Sequence, residues 1–292
     1  MSIHYIVRIL NINSYYEQEA KVAIFNSLQQ AISESVKDGD TLALEGFTHL
    51  ISFAAGHEII RQKKRDLTLI RMTPDLIYDQ LVGAGCAKKL IFSWGGNPGV
   101  GSLHRVRDAF QNNYPNALES VEHSHAAMAN AYEAGAAGLP MAVFRGYIGS
   151  ELTDVNDAIS SVTCPFTGEK LACVPAIKPD VGIIHAQKAD RQGNVLIEGI
   201  VGVQKEVVLS SKISIVTVEE IVDDLNTGPN SCVLPGWTVD QIAVAPKGAH
   251  PSYAHGYYQR DNQYYLDWDA ISRDRERFNQ WLEDEILQTG AN

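Results

Sequence analysis

Two runs of the chain, 181–185 (Val-Gly-Ile-Ile-His) and 213–217 (Ile-Ser-Ile-Val-Thr), are apolar nearly throughout, without the alternation of a half-solvated strand. A strand of that kind must be covered on both faces, which is the situation of a parallel sheet clothed by helices. Further β-rich runs at 41–44, 67–71, 89–93 and 142–144 alternate with stretches of helical period at 23–36, 53–64, 75–82, 100–111 and 126–133. The expected class is therefore α/β, with a mostly parallel sheet flanked by helices on both faces. No internal repeat or low-complexity linker divides the 292 residues, so one domain is expected over 19–266. Residues 1–18 read as an N-terminal extension, and 267–292 as a C-terminal helix, centred on 268–287, lying on the surface or on a partner.

Charge and cysteine usage narrow the partners. The net charge is −11, with no cluster of Lys and Arg of the kind that binding to a phosphate backbone rests on, so nucleic acid is not an expected partner. The acidic residues within 267–285 read as a solvated helix face. Cys86, Cys164, Cys173 and Cys232 are far apart and have neither a Cys-x-x-Cys pairing nor a His at ligand spacing. That suits reduced thiols in a cytoplasmic protein and no metal. No apolar run approaches the roughly 20 residues of a membrane span. Arg8 interrupts the apolar segment 3–12 where a signal peptide would continue.

In open α/β sheets, ligands bind beyond the carboxyl ends of the strands. Three loops qualify here: 45–49 (Glu-Gly-Phe-Thr-His), 94–101 (Trp-Gly-Gly-Asn-Pro-Gly-Val-Gly) and 185–194. Glycines in the second would let backbone N–H groups approach an anion or a carbonyl oxygen. The other reading of that loop is a tight strand-to-helix turn, and it lacks the Gly-x-Gly-x-x-Gly spacing of a dinucleotide site. His123 and His125 flank Ser124 just before an Ala/Gly-rich stretch, 126–138, where so many small residues mean that something packs very closely. A His pair at a helix N-terminus is a favourable place for a carboxylate or an oxyanion. In 188–194, Lys188 and Arg191 offer a phosphate site, against a reading in which Asp190, Gly193 and Asn194 only build a turn. His250 before Pro251 reads as structural, and the aromatic stretch 253–258 as core or interface. No Ser sits in a Gly-x-Ser-x-Gly elbow, so serine-hydrolase chemistry has no nucleophile.

Taken in order, these motifs resemble the α (A) subunits of family I, 3-oxoacid-type CoA-transferases, over roughly residues 21–258. The resemblance rests on Asp38-Gly39-Asp40, Gly46-Phe47, Ala134-Gly135-Ala136-Ala137-Gly138-Leu139-Pro140 and Lys188-Ala189-Asp190 with Gly193-Asn194. It continues through Val218-Glu219-Glu220-Ile221-Val222 and Gly248-Ala249-His250-Pro251. Segments 97–105 and 161–168 look most like A subunits that act on 3-oxoadipate or glutaconate.

The resemblance implies a sheet of the NagB/RpiA/CoA-transferase type and transfer through a carboxylate nucleophile with ping-pong kinetics. The family's nucleophile lies in a Glu-Asn-Gly-type motif of the β subunit. The nearest stretches here, Glu45-Gly46 and Glu198-Gly199, lack the Asn, so the implied partner is a B subunit carrying the catalytic Glu. Implied substrates are an acyl-CoA donor, succinyl-CoA, and a small carboxylic acid: a 3-oxo dicarboxylate such as 3-oxoadipate or, alternatively, glutaconate or another short acid. CoA enters as a thioester substrate, and no permanently bound cofactor is expected. The α side of the family contributes a side-chain amide, commonly Gln, to the oxyanion hole, and that position falls on His125, whose neutral ring can donate one N–H. A dicarboxylate also needs a cation for its distal end, for which Arg105 and Arg145 are the candidates. Thr48, His49, Gly96, Asn97 and Ser124 complete the expected pocket. Two readings of other kinds stay open: a CoA-ester hydrolase subunit with Glu45 as general base, and a non-catalytic ligand-binding protein on a related fold.

Overall fold

The computed structural model describes residues 23–147 and 149–288. The expected extension 1–18 lies outside them. Thirteen strands are described: β1 (Ile24–Phe25), β2 (Thr41–Glu45), β3 (Leu67–Arg71), β4 (Ala87–Phe92), β5 (Glu119–Glu122), β6 (Met141–Phe144), β7 (Ser160–Thr163), β8 (Lys170–Pro175), β9 (Val181–Asp190), β10 (Val195–Glu198), β11 (Ile213–Val222), β12 (Ser231–Leu234) and β13 (Gln241–Val244). Between them run α1 (Leu28–Ser35), α2 (Phe53–Arg61), α3 (Leu76–Gly83), α4 (His104–Asn112), α5 (His125–Ala136), α6 (Leu152–Val155) and α7 (Gln204–Ser210), followed by α8 (Asn262–Arg273) and α9 (Arg275–Trp281).

Among the described residues the main sheet has the order β1-β13-β11-β9-β2-β3-β4-β5, parallel throughout. β10 and β12 extend it antiparallel beyond β9. Side chains alternate between two cores, as the pleat requires. Leu42, Leu44, Val181 and Ile183 face the core under α1–α4, α8 and α9, whereas Ala43, Ile184, Val216 and Val218 face the one under α5 and α7. Helices therefore cover both faces, as expected.

Some boundaries moved for identifiable reasons. The expected helix 23–36 begins only at Leu28, because Ile24 and Phe25 pair with β13 and Ser27 caps α1 through its side chain. The run 142–144 is a strand, but of a separate antiparallel sheet, β6-β8-β7. The run 181–185 continues to Asp190, so loop 185–194 shrinks to the β9–β10 hairpin turn. There Asp190 Oδ1 accepts the N–H groups of Gln192 and Asn194, both at 2.9 Å, which is the turn-building reading. Lys188 and Arg191 are drawn aside to Glu220 and Asp223.

The terminal segment departs most from expectation. Its composition suggests a surface or interface helix, yet Trp268, Phe278, Trp281 and Ile286 belong to the first core. Trp268 is 0% exposed and donates from Nε1 to Asp79 Oδ2 at 3.0 Å. Its acidic residues are on the solvated side, but its aromatic side is structural, and the 266/267 boundary falls inside α8.

The small residues of α5 have the purpose their composition suggested. This helix lies between the main sheet, which receives Met128 and Tyr132, and the small sheet, which receives Ala127, Ala131 and Ala134. A Cβ on Gly135 would stand 2.0 Å from the backbone oxygen of Ile177. In an unhindered helix Gly→Ala stabilises by about 1 kcal/mol. Here we expect Gly135→Ala to destabilise by about 1–3 kcal/mol through overpacking against backbone. Chemical denaturation of the two proteins decides the sign, and a more stable variant would contradict the packing described.

Candidate active site

The carboxyl ends of β2, β3, β4 and β5 lie side by side and deliver four loops to one edge of the sheet. The turn after β2 is tight: a Cβ on Gly46 would sit 2.5 Å from Leu50 O. Thr48 and Leu50 hold φ of 65° and 53°, so this loop stores backbone strain of the sort that recurs at ligand sites. Between it and the loops after β3 and β4 lies a cavity of about 170 Å³, walled by Phe47, Thr48, Ile51, Trp94 and Tyr265 and bordered by Arg71, Asp75 and Arg260.

Arg71, the last residue of β3, is 1% exposed. Its Nη2 donates to Gly46 O at 3.0 Å and to Asp75 Oδ2 at 3.1 Å, and Nη1 reaches Asp75 Oδ1 at 3.3 Å. Burial raises the Asp75 carboxyl above its ordinary range, and the guanidinium pulls it back part of the way. Behind this pair, Glu45 accepts Met72 N–H at 2.9 Å and the Tyr132 hydroxyl at 3.1 Å. Burial pushes the Glu45 carboxyl up to about 7, against the opposing charge of Arg71. Glu45 is thus a buried anchor and does not line the cavity.

The other expected residues divide. Thr48 lines the cavity and is exposed, with Oγ1 3.5 Å from the Tyr253 hydroxyl. His49 turns away: its ring stacks on Tyr253 at 4.9 Å, and Nε2 donates to Ile200 O at 2.6 Å, while burial lowers the pKa of the ring against the pull of that hydrogen bond. Asn97 is buried and donates from Nδ2 to Tyr265 O at 2.8 Å, tying the glycine loop to α8. The backbone N–H groups of Gly96, Asn97, Val100 and Gly101 all donate to backbone carbonyls, in keeping with the tight-turn reading of this loop. That closure also delays the following helix from 100 to His104.

Ser124 caps α5, its Oγ accepting Ala127 N–H at 3.1 Å, while its own N–H goes to the Tyr147 hydroxyl at 2.6 Å. His123 is buried and lowered in pKa by that burial, whereas His125 is exposed in the first turn of α5, so the two rings do not face one site. His125 Nδ1 lies 3.1 Å from Ser93 Oγ. Ser93 gives its own proton to Met72 O at 2.6 Å, so Oγ accepts from the ring.

Neither arginine chosen from the sequence reaches the cavity. Arg105 is 4% exposed inside a structural network, with Nε on Ser272 O at 2.6 Å and Nη1 on Asp108 at 3.0 Å. Arg145 stands at the surface in a two-bonded pair with Glu169, at 2.7 and 2.8 Å. The cations that do border the cavity, Arg71 and Arg260, were missed. Arg71 carried one usable signal, a charge closing an otherwise buried strand; Arg260 carried none, because only the path of α8 brings it back to Pro98, whose carbonyl it holds at 2.7 Å.

Strand order and crevice leave the chemistry open, and the comparisons give the class. Residues 25–245 match the coenzyme A transferase model, and the chain belongs to that family. A relative, the A subunit of 3-oxoadipate CoA-transferase from Pseudomonas knackmussii, is 64% identical over 263 residues, covering 90% of this chain and 93% of that one. The crystal structure of glutaconate CoA-transferase from Acidaminococcus fermentans superposes with a TM-score of 0.85 at 32% identity, covering 91% of this chain and 89% of that one. A variant of the decarboxylase AibA/AibB follows at TM-score 0.78 and 30% identity, over 90% of this chain and 99% of that one. No described helix is long and apolar enough to cross a membrane.

The raised Glu45 carboxyl makes a stability prediction. With a folded value of about 7 against 4.5 unfolded, the folded chain binds more protons between those values, so stability falls as pH rises through the window. Glu45→Gln imitates the protonated form and removes this dependence. We expect wild type and variant to be alike near pH 4.5 and the variant to gain by ~1–3 kcal/mol near pH 8. A wild-type-to-variant gap that stays constant in denaturation series across pH would sink the assignment.

Proposed function

We propose that this chain is the A subunit of a heteromeric CoA-transferase that moves CoA from succinyl-CoA to a 3-oxo dicarboxylic acid such as 3-oxoadipate. The observation that carries the proposal is its likeness, 64% identical over 90% of its length, to the A subunit of a 3-oxoadipate CoA-transferase. Glutaconate as acceptor is the second reading, favoured by the superposition on glutaconate CoA-transferase but at 32% identity.

The nucleophile in this reading is a glutamate of the partner B subunit. In its support, Asp75, which lines the cavity, is paired with Arg71, and Glu45 behind it is engaged by Met72 and Tyr132. The glutamate attacks the donor thioester carbonyl, and CoA leaves as thiolate, giving an acyl–glutamyl anhydride. The thiolate then attacks the glutamyl carbonyl, forming a glutamyl–CoA thioester and releasing succinate. The acceptor acid reverses these two steps.

Each addition places negative charge on a carbonyl oxygen, and an N–H donor aimed there lowers the barrier. His125, exposed beside the cavity loops at the start of α5, is our choice for one such donor. Its hydrogen bond to Ser93 uses the Nδ1 proton, so Nε2 donates only when the ring carries both protons. We expect His125→Ala to lower kcat by about 10²–10³ with the heteromer still assembled, and His125→Gln, which restores an amide donor, to stay within about tenfold of wild type. Steady-state kinetics on the two coexpressed chains decides it; undiminished turnover of the Ala variant removes the role. Succinyl-CoA exchange against a panel of 3-oxo acids tests the substrate, and transfer by the single purified chain would overturn the need for a partner.

A further inference from the structure

We propose that the space between Arg71 and Arg260 is a subsite for the distal carboxylate of a dicarboxylic acyl group, and that Arg260 is the residue that separates dicarboxylates from monocarboxylates. The inference rests on the transferase reading above and names the feature by which that site selects its acid.

Four features of the cavity carry it. First, its walls are apolar where a methylene chain would lie, with Phe47, Ile51, Trp94 and Tyr265 around about 170 Å³. Second, two guanidinium groups border it, and among its described lining residues Asp75 is the one acidic side chain. Glu45, the next carboxylate, is pushed by burial toward its neutral form. A low-dielectric cleft with a surplus cation favours an anion from outside. Third, Nε of Arg71 and Nε of Arg260 are both buried without a hydrogen-bond partner. A buried N–H left without an acceptor is costly, which marks both side chains as incompletely satisfied by the fold itself.

The fourth feature separates the two arginines. Arg71 is committed to Asp75 and Gly46 O and holds the loops in place. Arg260 is half-buried, rests its guanidinium 3.8 Å over the Tyr265 ring and donates to Pro98 O at 2.7 Å. That posture fixes the plane of the group while leaving it at the cavity, which is how a guanidinium is made ready for a carboxylate. Arg71 supplies the floor of the subsite, and Arg260 supplies its selectivity.

The test uses the enzyme assembled from this chain and its partner. Calorimetric binding of adipate and of hexanoate is compared for wild type, Arg260→Gln and Arg260→Lys. Wild type is expected to prefer adipate by about 10²-fold. Arg260→Gln should lose most of that preference with hexanoate binding unchanged, and Arg260→Lys should keep part of it. Equal affinity of wild type for the two acids overturns the subsite, as does an equal loss of both acids in Arg260→Gln, the result of a merely structural role. If Arg260→Gln fails to assemble, wild type and Arg260→Lys still decide the matter by the size of the preference. Turnover with 3-oxoadipate on the same preparations keeps the two ideas apart. Selective adipate binding without that turnover sinks 3-oxoadipate as substrate and leaves the subsite standing; turnover with a preference that ignores Arg260 sinks the subsite alone.

Discussion

A guanidinium that is 1% exposed sets the terms for its surroundings. Taking that charge out of water costs several kcal/mol unless partners replace the lost hydration, and removing one partner of a buried pair costs ~3–5 kcal/mol. Arg71 finds its partners at Gly46, where the chain leaves β2, and at Asp75, which precedes α3. One side chain therefore ties the exits of neighbouring strands together. The ladder between β2 and β3 ends at Ala43 and Ile70. Just beyond it the Tyr78 hydroxyl takes over, accepting Leu44 N–H at 3.1 Å and donating to Ile70 O at 2.7 Å. The strands can part there without orphaning backbone groups, and where they part the cavity opens.

The far side of the sheet is pinned by a comparable knot. His185 is 0% exposed and bridges Thr217 and Glu219, each at 2.8 Å. Glu219 also accepts the Tyr258 hydroxyl at 2.6 Å and Lys247 N–H at 2.7 Å. Through it the 247–258 segment is fastened to β11, and from there the chain passes by Arg260 into α8. The path that brings Arg260 to the cavity is thus fixed from both ends, by Glu219 before it and by the burial of Trp268 and Asp79 after it. Stability and recognition share these residues, so an account of the site cannot be detached from the cores that hold it.

What could be read in the sequence follows from how local the cause is. The buried parallel sheet was legible because a strand covered on both faces cannot alternate, and 181–185 and 213–217 do not. The close packing on α5 was legible for the same reason, since steric room is written in residue size. The turn at Asp190 was one of two readings, and the hairpin settled it in favour of local hydrogen bonds. The roles of Arg105, Arg145 and His49 were not legible. Whether an arginine meets a ligand, an aspartate or solvent depends on which distant segment lies opposite, and Arg105 meets Ser272 while Arg145 meets Glu169. The terminal segment misled because its charges are exposed and numerous, yet its four core residues are few and spaced by helical turns. A count of acidic residues measures the wet face and says nothing of the dry one.

The division of labour in the proposed enzyme has an electrostatic reason that the cavity makes visible. A carboxylate nucleophile must be ionised and unencumbered when it attacks. Inside this crevice a carboxylate meets one of two fates. Where burial outweighs the pull of Arg71 it rises toward protonation, as Glu45 does; bonded directly to that guanidinium it is held in an ion pair, as Asp75 is. Neither state suits a nucleophile, whereas both serve to position the arginines that an acidic substrate needs. A glutamate brought by a second chain escapes the conflict. In the proposed arrangement it would meet the reacting end of the acyl group, with the length of the acyl chain between it and the guanidinium groups. With the cation-lined wall on one polypeptide and the charged nucleophile on another, each group keeps the protonation state its role demands.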